Sequence, residues 1–280
     1  MPEAIVRDGV RLRFDVFGSN GDPFVLLVSG AGAPAQFWPT DFCASLAAVG
    51  RHVVRYDHRD TGLSTHFDAE YPIDELLLDM LALVEHVGVP HAHIVGHSMG
   101  GYLTQIAMCQ HPDKVVSATS ISAGPPVSPK VAQALGLSSA SAATWENLMR
   151  NHPQGEFEQD LPGWLTSWRF LNGSRTFDTA AATAYTRHLY EGDPRNAQMA
   201  THHIHAMTTM PPLERELARV RCPFLVLHGT NDPLVPLDNG EASARVVPMS
   251  RIHALVGAGH MFFNHESWQE IAVHLSLQTI

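Results

Sequence analysis

One serine of the 280-residue sequence lies in a setting that could make its hydroxyl a nucleophile. Ser98 is the centre of a Gly-x-Ser-x-Gly motif, Gly96-His97-Ser98-Met99-Gly100, followed by Gly101. A short apolar run at residues 93–95 precedes the motif and a helical pattern at residues 102–110 follows it. A strand, a sharp turn and a helix in this order expose a serine at the edge of a sheet. The motif predicts a nucleophile, and the alternative is a glycine-rich turn with a structural role only.

A serine hydroxyl needs a base to take its proton and a third group to orient that base. Asp232 follows the predicted strand at residues 224–227, and His260 follows the predicted strand at residues 252–256. Loops at the carboxyl ends of parallel strands meet at one edge of the sheet, so we expect both side chains near Ser98. Asp238 is a weaker candidate for the acid. The alternatives are an ordinary loop histidine at position 260 and a turn-forming aspartate at position 232.

An acyl-transfer site also needs two N–H donors that hold the developing oxyanion. The backbone N–H of Met99, at the start of the helix after Ser98, is predicted to be one of them. The second is expected from the small-residue loop at residues 29–33, Ser-Gly-Ala-Gly-Ala, and we assign it to Ala31. A plain glycine turn after a strand is the alternative for this loop.

These residues are separated by short apolar runs that alternate with helical patterns. The predicted strands lie at residues 24–28, 52–56, 93–95, 115–122, 224–227 and 252–256. The clearest helix is Ile73–Val87, where apolar residues form one stripe and Gly88 follows as a stop signal. Alternating strands and helices predict a mostly parallel sheet with helices on both faces. Asp8-Gly9 between two N-terminal apolar runs predicts an antiparallel hairpin at one edge.

The alternation stops between residues 124 and 212, a stretch bounded by Pro125-Pro126 and Pro211-Pro212. Helical patterns at residues 141–150 and 179–190 predict a helical insertion over the carboxyl edge of the sheet, where open α/β sheets bind their substrates. We therefore predict a core domain of residues 1–123 and 213–280 and a helical cap, or lid, of residues 124–212.

Composition narrows the class of protein and of partner. A hydrophobic content of 45% supports a large core, and a formal net charge of −10 argues against nucleic acid or anionic membranes as partners. Cys43, Cys109 and Cys222 are too widely spaced for a Cys-x-x-Cys motif, so we expect free thiols. No secretory signal or membrane span is apparent, and we therefore expect a cytoplasmic location. The histidines at 202, 203 and 205 suggest a metal site, but consecutive helical residues point in different directions, so we expect no metal and no cofactor. The oligomeric state is left open.

The motif around Ser98, with Asp232 and His260 in this chain order, resembles the α/β-hydrolase superfamily of serine hydrolases over nearly the whole chain outside residues 124–212. Residues 55–64, Arg-Tyr-Asp-His-Arg-Asp-Thr-Gly-Leu-Ser, are similar to those of aclacinomycin methylesterase-type esterases. The resemblance implies a mostly parallel eight-stranded sheet flanked by helices, with a helical cap inserted after strand 6. Ser29-Gly30 departs from the His-Gly that many members have in the oxyanion loop.

We therefore expect a carboxylic ester hydrolase that forms an acyl-enzyme on a small-molecule ester, with methyl esters among the candidates. A lactonase, a carbon–carbon bond hydrolase or a cofactor-free haloperoxidase could use the same triad. A carbon–carbon bond hydrolase should present a basic cap residue to an acidic substrate, with Arg169, Arg175 and Arg187 as candidates. An alternative of another class is a ligand-binding receptor with vestigial hydrolase activity.

Overall fold

The computed structural model describes residues 2–151, 155–191 and 196–279. Its centre is an eight-stranded sheet with the order β1-β2-β4-β3-β5-β6-β7-β8. The strands are β1 (Glu3–Ile5), β2 (Arg11–Phe17), β3 (Phe24–Val28), β4 (His52–Tyr56), β5 (Ala92–His97), β6 (Val115–Ile121), β7 (Phe224–Gly229) and β8 (Ser250–Leu255). The strand order and the parallel pairing from β4 to β8 confirm the predicted mostly parallel sheet.

The antiparallel part lies at the N-terminal edge, as the Asp8-Gly9 signal predicted. β1 and β2 pair antiparallel, and so do β2 and β4. A short 3-10 turn, Arg7–Gly9, joins the first two strands, with Asp8 and Gly9 at φ values of 53° and 76°. Asparagine, aspartate and glycine tolerate this left-handed backbone better than other residues, which explains why this dipeptide marks the turn.

Helices cover both faces of the sheet. The helices that precede β6 are α1 (Thr40–Ala48), α2 (Ile73–Val87) and α3 (Met99–Gln110). Helix α2 has the bounds predicted from its apolar stripe, and Gly88 ends it with a left-handed φ of 82°. Between β6 and β7 the described residues form α4 (Pro129–Ala134), α5 (Ala142–Arg150), α6 (Phe157–Leu171), α7 (Thr179–His188) and α8 (Asn196–Thr208). Helices α9 (Glu214–Leu217), α10 (Leu237–Val246) and α11 (His265–Gln278) complete the chain.

The core consists of two apolar layers, one on each face of the sheet. Successive strand side chains point to opposite faces, and in β3 Leu26 and Val28 join the layer that contains α2 and α3. Val25 and Leu27 join the layer that contains α1 and α11. Since every residue of β3, β4 and β5 is buried, the central strands have no alternating polar face, as is typical of parallel sheets covered on both sides.

The helices after β6 confirm the predicted insertion at this point of the fold. The patterns at residues 141–150 and 179–190 correspond to α5 and α7. Ser141 caps α5 by accepting the Thr144 N–H, and Asp178 caps α7 by accepting two backbone N–H groups. Helices α6 and α7 pack together through Trp168, whose indole N–H donates to Thr186 at 2.9 Å. Across the described ranges, no helix is both long enough and apolar enough to cross a membrane.

Candidate active site

Ser98 lies at the turn between β5 and α3, in a backbone conformation that serine rarely adopts. Its φ and ψ are 53° and −118°, and α3 begins at the next residue. The turn is possible because its neighbours lack side chains. A Cβ at Gly96 would overlap the Gly100 carbonyl, and a Cβ at Gly100 would overlap the Val28 carbonyl. The spacing of glycines that singled out Ser98 in the sequence is therefore a steric requirement of this turn.

Asp232 and His260 are in direct contact. Asp232 follows β7 and His260 follows β8, and the His260 Nδ1–Asp232 Oδ2 distance is 2.8 Å. Only 6% of Asp232 and 3% of His260 is exposed. Burial raises the pKa of the Asp232 carboxyl, but the charge of His260 and its hydrogen bond outweigh burial and bring that pKa below its ordinary value. The carboxylate is thus kept ionised beside the imidazole.

The second oxygen of Asp232 fixes the direction of the carboxylate. Its Oδ1 atom accepts the backbone N–H of Leu234 at 2.9 Å and of Val235 at 2.8 Å. Asp238, the weaker candidate from the sequence, accepts the Ser138 N–H at 3.0 Å instead. Of the two carboxylates, Asp232 is the one that the structure brings to His260.

His97 joins the Ser98 turn to the His260 loop. Its Nε2–H donates to the His260 carbonyl at 2.8 Å, and the two rings have centroids 4.9 Å apart. Burial lowers the pKa of His97 to about 3, so the ring is neutral. His97 therefore holds the Ser98 turn and the His260 loop close together. Nothing in the sequence indicated this role. No direct hydrogen bond between the Ser98 hydroxyl and the His260 ring is present among the residues described.

The loop after β3 lies against Ser98. A Cβ at Gly30 would be 3.1 Å from the Ser98 Cβ, so only glycine lets this backbone come so close without displacement. The Ala33 N–H donates to the Gly30 carbonyl and the Gly32 N–H donates to His203, whereas the hydrogen bonds of the described chain leave the Ala31 N–H unused. Met99 is the first residue of α3, where a backbone N–H has no partner within the helix. Both predicted oxyanion donors thus lie beside Ser98.

Residues 55–64 hold the segment after β3 in place through hydrogen bonds. The Asp57 carboxylate accepts the Ala35 N–H at 2.7 Å, and the His58 Nε2–H donates to the Ser29 carbonyl at 3.1 Å. Arg59 forms two hydrogen bonds, of 2.7 and 2.9 Å, with the buried Asp79 carboxylate of α2. These contacts indicate that residues 55–64 support the floor of the site.

The three histidines of α8 have separate partners. His202 lies 3.0 Å from Asp60, His203 contacts the backbone, and His205 lies 3.2 Å from Glu70. A different group has possible ligand atoms within 4.8 Å of one another in the described residues, namely His253, Glu270 and His274. Glu270 there is engaged by His253 at 2.7 Å and by Arg175 at 2.6 Å. This group lies between β8 and α11 and is distinct from the site at Ser98.

A cavity of about 370 Å³ lies next to aromatic side chains that contact His97. Its wall includes Phe37 and Phe262, and both rings also contact the His97 ring. Ser98, Asp232 and His260 do not line it. The candidate catalytic side chains therefore lie outside the wall of this cavity.

Comparison with known proteins identifies the family of this chain. The family described as alpha/beta hydrolase fold matches residues 22–266. The chain is 30% identical to the rhodomycin D methylesterase DauP of Streptomyces sp. (strain C5), over 91% of each chain. It is 28% identical to the putative carbamate hydrolase RutD of Pseudomonas savastanoi pv. phaseolicola, over 85% of this chain and 86% of RutD.

Among solved structures, the esterase RhEst1 from Rhodococcus sp. ECU1013 superposes with a TM-score of 0.78 at 22% identity. The superposition covers 99% of this chain and 98% of RhEst1. The strand order, the glycine-flanked turn at Ser98 and the match over residues 22–266 lead to one assignment. This chain belongs to the α/β-hydrolase fold family and is similar in sequence to two rhodomycin D methylesterases.

Proposed function

We propose that the protein is a serine hydrolase of carboxylic esters that works through an acyl-enzyme. The observation that carries this proposal is the buried His260–Asp232 hydrogen bond of 2.8 Å beside Ser98, whose φ of 53° exposes its hydroxyl at the end of β5. Catalytic roles for Ser98, Asp232, His260, Ala31 and Met99 follow from this arrangement. No cofactor takes part in the proposed reaction.

In the first half of the reaction the Ser98 Oγ attacks the ester carbonyl carbon. His260 accepts the serine proton at Nε2, since its Nδ1–H is held by Asp232. Asp232 stays ionised, keeps the imidazole in this tautomer and stabilises its charged form. The tetrahedral intermediate then collapses, the bond to the alkoxy group breaks, and His260 gives its proton to the leaving alcohol.

The negative charge of the tetrahedral oxygen is received by the Ala31 and Met99 N–H groups. Loss of one such donor costs about 10²–10³ in rate, so these two backbone positions make a substantial contribution to catalysis. Water then attacks the acyl-enzyme with His260 again as base, and the second tetrahedral intermediate releases the acid and restores Ser98.

A methyl ester of a small molecule is the substrate class that we favour. Two rhodomycin D methylesterases are each 30% identical to this chain over 91% of its length. The proposed cap of residues 124–212 would determine which acid fits, because it covers the carboxyl edge of the sheet on which Ser98 lies.

The structure gives less support to a carbon–carbon bond hydrolase. The basic candidates from the sequence are engaged elsewhere: Arg175 pairs with Glu270 at 2.6 Å, Arg169 lies over Phe177 and Arg187 lies over Phe157. An acidic substrate would have to displace these partners. Lactone hydrolysis, haloperoxidase activity and a receptor role use the same residues, and turnover measurements distinguish them.

The test compares the wild type with Ser98→Ala on p-nitrophenyl esters of rising chain length and on aromatic methyl esters. We expect wild-type turnover and a loss of about 10³-fold or more in the variant. Ser122→Ala is a matched control, because Ser122 also has a positive φ, of 54°, and directly follows β6, the strand next to β5. A fluorophosphonate probe should label the wild type and Ser122→Ala but not Ser98→Ala. Full ester turnover by Ser98→Ala would overturn the proposal, and ligand binding without turnover by the wild type would favour a receptor.

A further inference from the structure

One histidine of α8 reaches across to the oxyanion loop. His203 has none of its surface exposed. Its Nδ1 accepts the Gly32 N–H at 2.9 Å, and its Nε2–H donates to the Arg59 carbonyl at 2.9 Å. The ring thus bridges the loop after β3 and the bracing segment at residues 55–64, two parts of the core that flank Ser98.

We propose that His203 is a positioning residue that sets the direction of the Ala31 N–H toward the substrate oxyanion. The inference rests on the proposed function, since it assigns a role within the same ester-hydrolysing site. It gives a residue of α8 a supporting role, in which the ring holds the oxyanion loop and does not itself touch the substrate.

The link from His203 to Ala31 passes through a single turn. The Ala33 N–H donates to the Gly30 carbonyl at 3.2 Å, which closes a four-residue turn over residues 30–33. Gly32 occupies the third position with a φ of 67°, a conformation that glycine favours there. His203 holds the N–H of this same glycine, so it fixes the corner of the turn.

The geometry of the peptide bond completes the argument. The Gly30 carbonyl and the Ala31 N–H belong to one planar trans peptide unit and therefore point in opposite directions. Because the carbonyl points into the turn toward Ala33, the Ala31 N–H points out of the turn, and the adjoining Gly30 lies against Ser98. A turn that tilts when Gly32 is released would tilt this N–H by the same angle.

The two hydrogen bonds of His203 require a neutral ring with its proton on Nε2. The titratable groups around it are His58, with ring centroids 5.7 Å away, Tyr71 at 6.4 Å, and the adjacent pair of His202 and Asp60. Burial and the neighbouring His58 lower the pKa of His203 to about 3, which keeps the ring in the form that the geometry needs.

Two substitutions separate the two bonds. In His203→Asn the amide oxygen lies near the position of Nδ1 and can still accept the Gly32 N–H. In His203→Gln the amide NH₂ reaches the position of Nε2 and can still donate to the Arg59 carbonyl. His202→Gln is the matched control on the same helix, because His202 contacts Asp60 and does not touch the oxyanion loop.

We expect His203→Gln to lower kcat for a p-nitrophenyl ester about 10- to 100-fold with KM within about 3-fold, because a misplaced donor acts on the transition state. The affinity for a phenylboronic acid, whose serine adduct places a hydroxyl in the oxyanion position, should fall in parallel. His203→Asn and His202→Gln should keep kcat within about 3-fold of the wild type.

Equal losses of kcat in the Asn and Gln variants, or an unchanged kcat in a folded His203→Gln variant, would overturn the inference. If His203→Gln does not fold, His203→Asn decides alone: a kcat loss of about 10-fold or more in this folded variant contradicts the assignment. Ser98→Ala is assayed in parallel. Activity in Ser98→Ala refutes the proposed function itself, whereas an inactive Ser98→Ala beside a fully active His203→Gln refutes only the role of His203.

Discussion

Replacing Asp232 with asparagine exchanges one carboxylate oxygen for an NH₂ group, and we expect it to stop turnover while the fold is kept. Two of the hydrogen bonds of Asp232 come from the Leu234 and Val235 N–H groups, and an asparagine carbonyl can accept both. The new NH₂ group then faces the His260 Nδ1, where the carboxylate oxygen lies at 2.8 Å.

An NH₂ donor at this place requires Nδ1 to accept, so the imidazole proton moves to Nε2. A protonated Nε2 cannot take the proton of Ser98. The same exchange in a serine protease triad lowers kcat about 10⁴-fold, which corresponds to about 5 kcal/mol of transition-state stabilisation. Stability should change far less, by about 1–3 kcal/mol, because one buried hydrogen bond to a charged group is altered.

The assay measures kcat on a p-nitrophenyl ester at neutral pH and the free energy of unfolding in urea. Asp238→Asn is the control, because Asp238 accepts the Ser138 N–H and does not contact His260; its kcat should stay within about 3-fold of the wild type. A folded Asp232→Asn variant with a kcat within about tenfold of the wild type would refute the role of Asp232. So would a larger loss in Asp238→Asn than in Asp232→Asn.

Two further predictions concern the scaffold. Gly100→Ala should lower the free energy of unfolding by about 1–3 kcal/mol and reduce turnover, because its Cβ would overlap the Val28 carbonyl. Gly163→Ala is the control, since a Cβ there meets only ordinary contacts from 3.4 Å. Equal Tm values for the two variants in calorimetry would contradict this prediction. The free energy of unfolding should also fall as the pH drops from about 6.5 toward 4. The reason is that burial lowers the pKa of His58 to about 4 and the pKa of both His97 and His203 to about 3. The unfolded chain binds more protons than the folded chain in this range, so each ring lowers stability by up to about 1.4 kcal/mol per pH unit. Urea titrations at several pH values should give a shallower slope for His58→Gln, and a slope as steep as that of the wild type would speak against a buried neutral ring.

Local signals made the elements and the candidate residues predictable. Helix α2 has one apolar stripe and a left-handed glycine after it, and both act within a few residues of the chain. The bounds of β8 were predicted less well. The structure starts this strand at Ser250, not at residue 252, because pairing with β7 recruits the exposed Arg251, whose side chain carries no apolar signal.

The contacts that connect the site could not be predicted in the same way. His97 and His260 are 163 positions apart, and Gly32 and His203 are 171 positions apart. No periodicity or motif in the sequence links the two members of either pair, because each contact depends on how elements that are distant along the chain pack together. The sequence led us to expect no metal at the α8 histidines, but it held no sign that the His203 ring accepts a backbone N–H from Gly32.

The order of elements along the chain has a consequence for biosynthesis. Ser98 lies at the end of β5, whereas Asp232 and His260 follow β7 and β8, after all the helices of the insertion. A ribosome that has reached residue 212 has therefore made Ser98 and the loop after β3 but neither of the two residues that we propose as base and acid. Until β7 and β8 join the sheet, the Ser98 hydroxyl of the growing polypeptide has neither Asp232 nor His260 beside it and is unreactive. Fragments that end anywhere before position 260 should therefore be unable to form an acyl-enzyme with an ester substrate.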